Sequence, residues 1–150
     1  MSDLVIGGIV IGDLADADVD GLAALWVRCD LTRPWNDPRA DIAFARKSPN
    51  AAILVAKRDN ALCASVMVGH DGHRGWLYYV AVDPDLQRSG LGRRMTRAAE
   101  DWLRERGVAK VMLMVRPDNE AVQDFYKANG YDEQKRVILA KWLDGRPMTP

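Results

Sequence analysis

The chain has 150 residues, a length that predicts a single domain able to bury a core without disulfide or metal staples. Its 21 Lys and Arg balance its 21 Asp and Glu, and a formal charge of zero argues against nucleic-acid and anionic-membrane partners. Cys29 and Cys63 have neither metal-ligand spacing nor a disulfide framework, which favours buried reduced thiols in a cytoplasmic protein. Acidic residues flank the apolar start, so it indicates a strand rather than a signal peptide, and no run reaches transmembrane length.

The first third of the chain predicts one strand and two helices. The β-branched stretch 4–11 indicates a first strand, with a bulge or kink at the glycine pair 7–8. Asp16 is the expected N-cap of a helix that reaches about residue 29, because its apolar residues recur near a 3.6 period. Prolines then break the helix, and a second short helix is expected over 39–47.

The middle of the chain predicts three strands. Residues 52–57 and 62–68 form an expected antiparallel hairpin around the turn 58–60. A second turn, 71–75, leads into the apolar strand 76–82.

The last part predicts two helices and further strands. A helix over 93–106 ends at the C-capping glycine Gly107, and the apolar run 110–115 is expected to be a strand buried on both faces. Asp118 is the expected cap of a helix to about residue 128, residues 131–143 supply one or two final strands, and 144–150 form a loose tail. The predicted order, β-α-α-β-β-β-α-β-α-β(-β), is an α/β arrangement with helices on a mixed sheet.

A glycine-bearing turn between the strand 76–82 and the following helix is the central feature of the sequence. It reads Gln87-Arg88-Ser89-Gly90-Leu91-Gly92 and is followed by Arg93 and Arg94. Unpaired amides in the first turn of a helix, together with the helix dipole, bind anions, and glycines let a phosphate approach the backbone. A Walker loop would need Lys-Ser or Lys-Thr after the glycines, and a dinucleotide fingerprint would need a glycine at position 95, which is Met.

The pattern Gln/Arg-x-x-Gly-x-Gly, with the preceding Val82-Asp83-Pro84, resembles the coenzyme A pyrophosphate loop of the GNAT superfamily of N-acetyltransferases. The resemblance covers essentially the whole predicted element order. It implies the GNAT acyl-CoA N-acyltransferase fold and acetyl-CoA as the cofactor. It also implies that the strand before the loop pairs its backbone with the pantetheine arm and polarises the thioester carbonyl. The implied cofactor-binding residues on this strand and loop are Val80, Ala81, Val82, Gln87, Arg88, Ser89, Gly90, Leu91, Gly92 and Arg93.

A second motif runs from Asn119 to Tyr131 and resembles the GNAT segment Asn-x-x-Ala-x-x-x-Tyr-x-x-x-Gly-Phe/Tyr. Asn119 and Tyr126 are seven residues apart, which places them on one helix face. The resemblance implies that Asn119 contacts the cofactor arm and that Tyr126 is the catalytic acid near the sulfur. A phenol is protonated at neutral pH and can donate to a leaving thiolate. The alternative is an ordinary core tyrosine.

The sequence leaves the general base open. Met114 stands where the resemblance would place a glutamate, and a thioether cannot accept the proton. The candidates for the base are therefore Tyr79, Asp71, His70 and His73, or a water relay to solvent. The histidines lack a third ligand at metal-binding spacing, so no metal site is predicted.

Two stretches are candidates for the acceptor site, namely the proline-rich segment 33–38 and the turn 71–75. Trp35 and Asp37 form either an aromatic and anionic wall for an ammonium group or a loop pinned by prolines, with Trp35 packed as a lid. The two segments resemble those of a bacterial GNAT subgroup, and the acceptor stays open.

The sequence therefore predicts an acetyl-CoA-dependent N-acetyltransferase. The acceptor is a primary amine on a small molecule or a protein, and it attacks directly in a ternary complex. The alternative is a non-catalytic acyl-CoA-binding or sensing domain on the same fold. Neither a nucleic acid nor a membrane is an expected partner, and a homodimer stays open.

Overall fold

The computed structural model describes residues 4–6, by their backbone alone, and residues 8–148. The chain divides into two compact units, Met1–Met114 and Val115–Pro150. Within the described part of the first unit, six strands form one sheet in the order β1-β2-β3-β4-β5-β6. Neighbouring strands are antiparallel except for β5 and β6, which are parallel. The strands are β1 (Leu4–Ile6), β2 (Ile9–Asp13), β3 (Ala51–Arg58), β4 (Ala61–His70), β5 (Gly75–Val82) and β6 (Val111–Met112).

Three helices cover the two faces of this sheet. Helices α1 (Val19–Arg28) and α2 (Pro38–Arg46) pack with Ile53 and Val55 of β3 on one face. Helix α3 (Leu91–Glu105) packs on the other face, with Leu54 and Ala56 of β3 and with β4 and β5. Because successive strand residues point to opposite faces, β3 is buried on both of them and reads as a continuous apolar run.

The N-terminal strand prediction was wrong in one respect. In place of one kinked strand over 4–11, the structure has two strands, β1 and β2, paired antiparallel with Leu4 opposite Ile11. Gly8 has φ of +79° and lies between them, a backbone conformation that glycine adopts without strain. Of the predicted glycine pair, Gly7 lies outside the described residues.

The caps of α1 and α2 are aspartates. Residues Asp16–Asp18 form a 3₁₀ turn before α1, so Asp18 and not the predicted Asp16 stands at its N-cap. The Asp18 carboxylate accepts from the Ala15 amide at 2.9 Å. Helix α2 has the predicted extent within a residue, and the Asp37 side chain caps it by accepting from the amides of Arg39 and Ala40. The Asp37 carboxylate thus satisfies first-turn amides of α2, whereas the Asp18 carboxylate bonds the chain that enters the 3₁₀ turn before α1.

Helix α3 ends in a Schellman motif at the predicted glycine. Gly107 has φ of +77°, its amide donates to the Arg104 carbonyl at 3.0 Å, and the Val108 amide donates to the Leu103 carbonyl at 3.1 Å. The following strand is shorter than predicted. Only Val111–Met112 pairs with β5, both residues are half-buried, and Met114 is 50% exposed, so the run is not buried on both faces.

The second unit contains helix α4 (Glu120–Ala128), whose N-cap is Asn119 and not the predicted Asp118. The predicted final strands are absent from residues 131–148, which have no regular secondary structure. Val137 and Leu139 are 86% and 90% exposed. A β-branched run becomes a strand when a neighbouring strand pairs with it and buries one face, and these side chains lack that burial. The predicted single domain and the loose tail at 144–150 stay predictions.

Candidate active site

The turn before α3 has the backbone geometry of an anion cradle. After a short 3₁₀ turn, Pro84–Leu86, Arg88 and Gly90 take positive φ values of 66° and 84°. Helix α3 begins at Leu91 with Gly90 as its N-cap, two residues earlier than predicted, so Gly92 lies in the first helical turn. The amides of this first turn have no carbonyl acceptor within the helix. Residues 87–90 are exposed, and a Cβ added at Gly90 would meet nothing within 4 Å, so the space in front of the loop admits a phosphate group.

The entry to this loop is fixed by Asp83. Its carboxylate accepts from the Asp85 amide at 3.0 Å and forms an ion pair with Arg28 of α1 at 3.2 Å. Its own amide donates to the Cys63 carbonyl at 2.8 Å. The predicted cationic residues Arg88 and Arg93 are both exposed beside the loop. The loop is therefore held at its base, and its charged side chains face solvent.

Strand β5, which leads into the loop, has an unpaired edge. Strand β6 pairs only with Gly75 and Trp76, so the later part of β5 has no strand partner on that side among the described residues of the first unit. The predicted residues Val80, Ala81 and Val82 lie in this later part. An unpaired strand edge can accept an extended ligand as an added strand.

A β-bulge interrupts β5 next to those residues. Ser65 pairs with Ala81 while Met67 pairs with Tyr78, so two residues of β5 lie opposite one residue of β4. Tyr79 is in the bulge with φ of +51°, a rare conformation for a bulky residue. Bulges and strained backbone of this kind concentrate at functional sites.

Hydrogen bonds hold the bulge in place. The buried Ser65 hydroxyl donates to the Tyr79 carbonyl at 2.9 Å and accepts from Trp26 Nε1 at 3.0 Å. The Tyr79 ring stacks on the Trp26 indole with centroids 3.7 Å apart. The Tyr79 hydroxyl donates to Asp41 Oδ2 at 2.6 Å. Burial, and then the Asp41 carboxylate, raise the pKa of Tyr79 above its ordinary value, so its phenol stays protonated at neutral pH and is a poor base.

A cavity of about 620 Å³ lies in the first unit beside this bulge. Three of the predicted base candidates, Tyr79, Asp71 and His70, line it, and His73 does not. Hydrogen bonds from the Arg74 and His73 amides and from the Trp76 indole lower the pKa of Asp71, which makes it a weak base. His70 Nδ1 accepts from the Gly72 amide at 3.1 Å.

The segment before α2 contributes to the same cavity through a different residue than expected. Asn36 lines the cavity, whereas Trp35 and Asp37 are not among the lining residues, and the Asp37 carboxylate is used as a helix cap. The carboxylate that lines it from this helix is Asp41. Sequence reasoning missed Asp41 because it has the ordinary appearance of an acidic residue in a first helical turn.

The second unit contains the other two predicted site residues. Asn119 Oδ1 accepts from the Val122 amide at 3.3 Å, so Asn119 caps α4. Tyr126 is 8% exposed, and its ring meets Phe125 and Tyr131 edge to face at centroid distances of 5.0 and 5.4 Å. Burial raises the pKa of Tyr126 to about 12, so the phenol is fully protonated at neutral pH.

The cysteines are poor nucleophiles. Cys63 is buried and Cys29 is half-buried, and neither forms a disulfide. Burial raises the pKa of both thiols. The thiolate is the reactive form, so this environment disfavours covalent catalysis by either residue.

Among residues 4–6 and 8–148 there is no group of three or more His, Cys, Asp or Glu side chains that could hold a metal ion. In the same part of the chain, no helix has the length and apolar character needed to cross a membrane.

Comparison with known proteins supplies further findings. Residues 21–131 match the model of the acetyltransferase (GNAT) family. An acetyltransferase of Yersinia enterocolitica is 40% identical over 127 residues, which are 85% of this chain and 90% of that protein. One from Pectobacterium atrosepticum is 40% identical over 126 residues, 84% and 89% of the two chains.

Several solved structures are similar to this chain in fold. A ribosomal-protein alanine N-acetyltransferase of Escherichia coli has a TM-score of 0.74 at 27% identity, over 92% of this chain and 87% of its own. The aminoglycoside N-acetyltransferase AAC(6')-Iy, in complex with a CoA-containing bisubstrate analogue, has a TM-score of 0.77 at 17% identity, over 89% and 97% of the chains. The predicted fold class is confirmed.

Proposed function

Because the chain belongs to the GNAT family of acetyltransferases, we propose that it transfers an acetyl group from acetyl-CoA to a primary amine by direct attack in a ternary complex. The observation that carries this proposal is the exposed loop at Gly90, which connects a strand with an unpaired edge to the start of the next α-helix. Solved relatives of this fold have been captured with CoA and with a CoA-containing analogue, which supports the same ligand here.

In this proposal the cofactor is bound mainly by backbone groups. The first-turn amides of α3, together with residues Gln87 to Gly90, bind the pyrophosphate, and the Arg88 and Arg93 guanidinium groups add charge. The open edge of Val80–Val82 hydrogen-bonds the pantetheine arm, and one of its amides polarises the thioester carbonyl. Asn119 contacts the same arm, as the resemblance implies.

Acetyl-CoA supplies the acyl group as a thioester. The chain's part is to orient the neutral amine, whose extra proton passes to solvent water before the attack, so that the new C–N bond forms as the C–S bond breaks. It also supplies a proton to the sulfur, and the proton that the nitrogen loses as the amide forms passes through water to restore that donor. We assign that proton to the Tyr126 hydroxyl, because a phenol with a pKa of about 12 retains it at neutral pH. The raised thiol pKa values of Cys29 and Cys63 favour direct attack over an acetyl-enzyme.

The test is release of CoA thiol from acetyl-CoA with a panel of amines and peptides, on the wild type and on Tyr126→Phe. We expect turnover with at least one amine and a loss in kcat of about 10²–10⁴-fold in Tyr126→Phe, the usual contribution of a general acid, with unchanged CoA affinity. Tyr131→Phe removes a hydroxyl from the ring packed against Tyr126 and is the matched control, expected to keep most of the activity.

The outcomes separate the candidate functions. CoA binding without turnover on any amine would favour a sensing domain, and turnover in Tyr126→Phe within a few-fold of wild type would remove Tyr126 as the acid. Initial rates at varied concentrations of both substrates test the order of events. Intersecting double-reciprocal lines are expected, and parallel lines would indicate an acetyl-enzyme.

A further inference from the structure

The cavity beside the β5 bulge has the dimensions of a small-molecule site. Its volume of about 620 Å³ lies within the usual range of ligand pockets. All its lining residues lie between Leu31 and Tyr79, and therefore within the first unit. Tyr79 directly precedes the segment Val80–Val82, to which we assign the pantetheine arm, so a molecule in the cavity lies next to that strand.

The charge of the lining is negative. Asp41 and Asp71 contribute carboxylates, and none of the described residues that line the cavity is Lys or Arg. An ammonium group is attracted to such a lining, and an anion is repelled. A ligand that carries its own carboxylate is therefore disfavoured.

The Asp41 carboxylate is held in position and can still accept hydrogen bonds from a cation. The Tyr79 hydroxyl fixes Oδ2 at 2.6 Å, and the buried Trp26 indole, stacked on the Tyr79 ring, fixes Tyr79 in turn. A carboxylate accepts about four hydrogen bonds, so this one retains acceptor capacity for a further donor. Among the described residues, no basic side chain forms an ion pair with Asp41. Asp71, in contrast, already accepts from the His73 and Arg74 amides of its own turn and from the Trp76 indole of β5.

Most of the remaining wall surface is apolar, with polar side chains at Asn36, Ser48, Asn50 and His70. Phe44, Trp76 and Tyr78 line the cavity, with Leu31 and Met67. Phe44 is 70% exposed and Tyr78 is 42% exposed, and the Trp76 and Tyr78 rings lie 6.4 Å apart and nearly parallel. Burying exposed aromatic surface against an apolar body is favourable, and it does not depend on the charge at the other end.

We propose that this cavity is the acceptor site and that it selects a primary amine on an apolar or aromatic stem without a carboxylate, with Asp41 as the ammonium ligand. This inference rests on the proposed function for the identity of the reaction. The binding selectivity itself can be measured separately from turnover.

The experiment measures binding by calorimetry to the CoA-saturated protein with three matched probes: phenethylamine, phenethyl alcohol and phenylalanine. The alcohol removes the charge, and the amino acid adds a carboxylate. Phenethylamine is expected to bind at millimolar concentration or below, and both analogues are expected to bind at least about tenfold more weakly. Absence of phenethylamine binding, or equal binding of the alcohol or the amino acid, would overturn the proposal.

Two variants locate the effect. Asp41→Asn retains an acceptor for the Tyr79 hydroxyl and removes the charge, so we expect phenethylamine to bind at least about tenfold more weakly and the preference over the alcohol to disappear. Asp37→Asn removes a charge from the same helix end, outside the cavity lining, and retains a good cap. It is expected to leave the preference unchanged. An unchanged preference in Asp41→Asn, or an equal loss in both variants, would remove Asp41 from the ammonium site.

Turnover then distinguishes this inference from the proposed function. Charge-selective binding that depends on Asp41, with no acetylated phenethylamine formed, would support the cavity as an amine site and count against it as the acceptor site of an enzyme. Acetylation of other amines with no role for Asp41 would support the enzyme and overturn this assignment. Both variants are expected to bind CoA as the wild type does, which checks that the first unit is folded.

Discussion

The role of Gly90 can be tested against a glycine at the opposite end of the same helix. Gly90 at the start of α3 and Gly107 just beyond its end have φ values of 84° and 77°, and an added Cβ would meet nothing within 4 Å at either position. The two Gly→Ala variants therefore have the same cost, which is that of placing an L-residue in the left-handed region, about 1–2 kcal/mol. For a chain of this size, each kcal/mol lowers Tm by roughly 2–4 °C.

The two variants should differ in their affinity for the cofactor. A methyl group at Gly90 stands among the amides proposed to bind the pyrophosphate, whereas one at Gly107 lies at the other end of a 15-residue helix. Hydrogen bonds to charged groups contribute about 1.5–3 kcal/mol each, so the obstruction of one or two of them predicts CoA affinity at least about tenfold lower in Gly90→Ala.

The measurements are thermal unfolding without ligand and calorimetric titration with CoA. We expect similar losses in Tm for Gly90→Ala and Gly107→Ala, and wild-type CoA affinity in Gly107→Ala alone. If Gly90→Ala bound CoA as tightly as Gly107→Ala does, the loop would not be the pyrophosphate site.

Three further predictions concern stability. Gly75→Ala would place a Cβ 2.6 Å from Leu103 Cδ1 in the core. We expect this overpacking to lower the free energy of unfolding, measured by chemical denaturation, by about 1–3 kcal/mol. An unchanged free energy of unfolding would mean that Leu103 moves freely. Ser65→Ala leaves the Trp26 indole N–H and a carbonyl without their buried partner, at about 1–3 kcal/mol each, and an unchanged unfolding midpoint would contradict the network. Burial raises the pKa of Tyr126 from 10.0 to about 12. The free energy of unfolding therefore keeps its full value below pH 10 and falls by about 2–3 kcal/mol between pH 10 and 12, because the phenol ionises in the unfolded chain before it ionises in the folded one. Tyr126→Phe should reduce that alkaline loss, and an identical pH profile would argue against the burial.

Features that depend on a single residue type were predictable from the sequence. Gly90 and Gly107 mark left-handed positions at the two ends of α3, because a backbone with positive φ favours glycine. The turn 58–60 was predictable for a related reason: Asp59 and Asn60, both with positive φ, are residue types that tolerate this region.

Helix starts were predictable only to within one or two residues. The cap is at Asp18 and not at Asp16, and at Asn119 and not at Asp118. In both places neighbouring residues are competent caps, so the sequence offers equivalent choices and the packing of the helix decides between them.

The cavity proposed as the acceptor site shows what sequence reasoning could not find. The hydrogen bond between Tyr79 and Asp41 joins residues 38 positions apart. It exists because a bulge rotates Tyr79 out of the strand alternation, and no motif marks that bulge in the sequence. Over 131–143 the sequence predicted a strand that the structure does not contain. Its β-branched residues indicate a strand, but strand formation depends on a neighbouring strand that the local sequence does not specify.

The cavity lining ends at Tyr79, and the proposed cofactor segment starts at Val80, so the proposed acceptor site and the proposed start of the donor site are encoded by consecutive stretches of the gene. Drift in the earlier stretch can change which amine is accepted while the grip on the donor is inherited intact. Tyr79 lies at the boundary between the two stretches, where its carbonyl accepts a hydrogen bond from Ser65 and its hydroxyl donates one to Asp41. A combinatorial library confined to the cavity-lining residues between 31 and 78 therefore offers a route to new acceptors with a single, unchanged thiol-release screen.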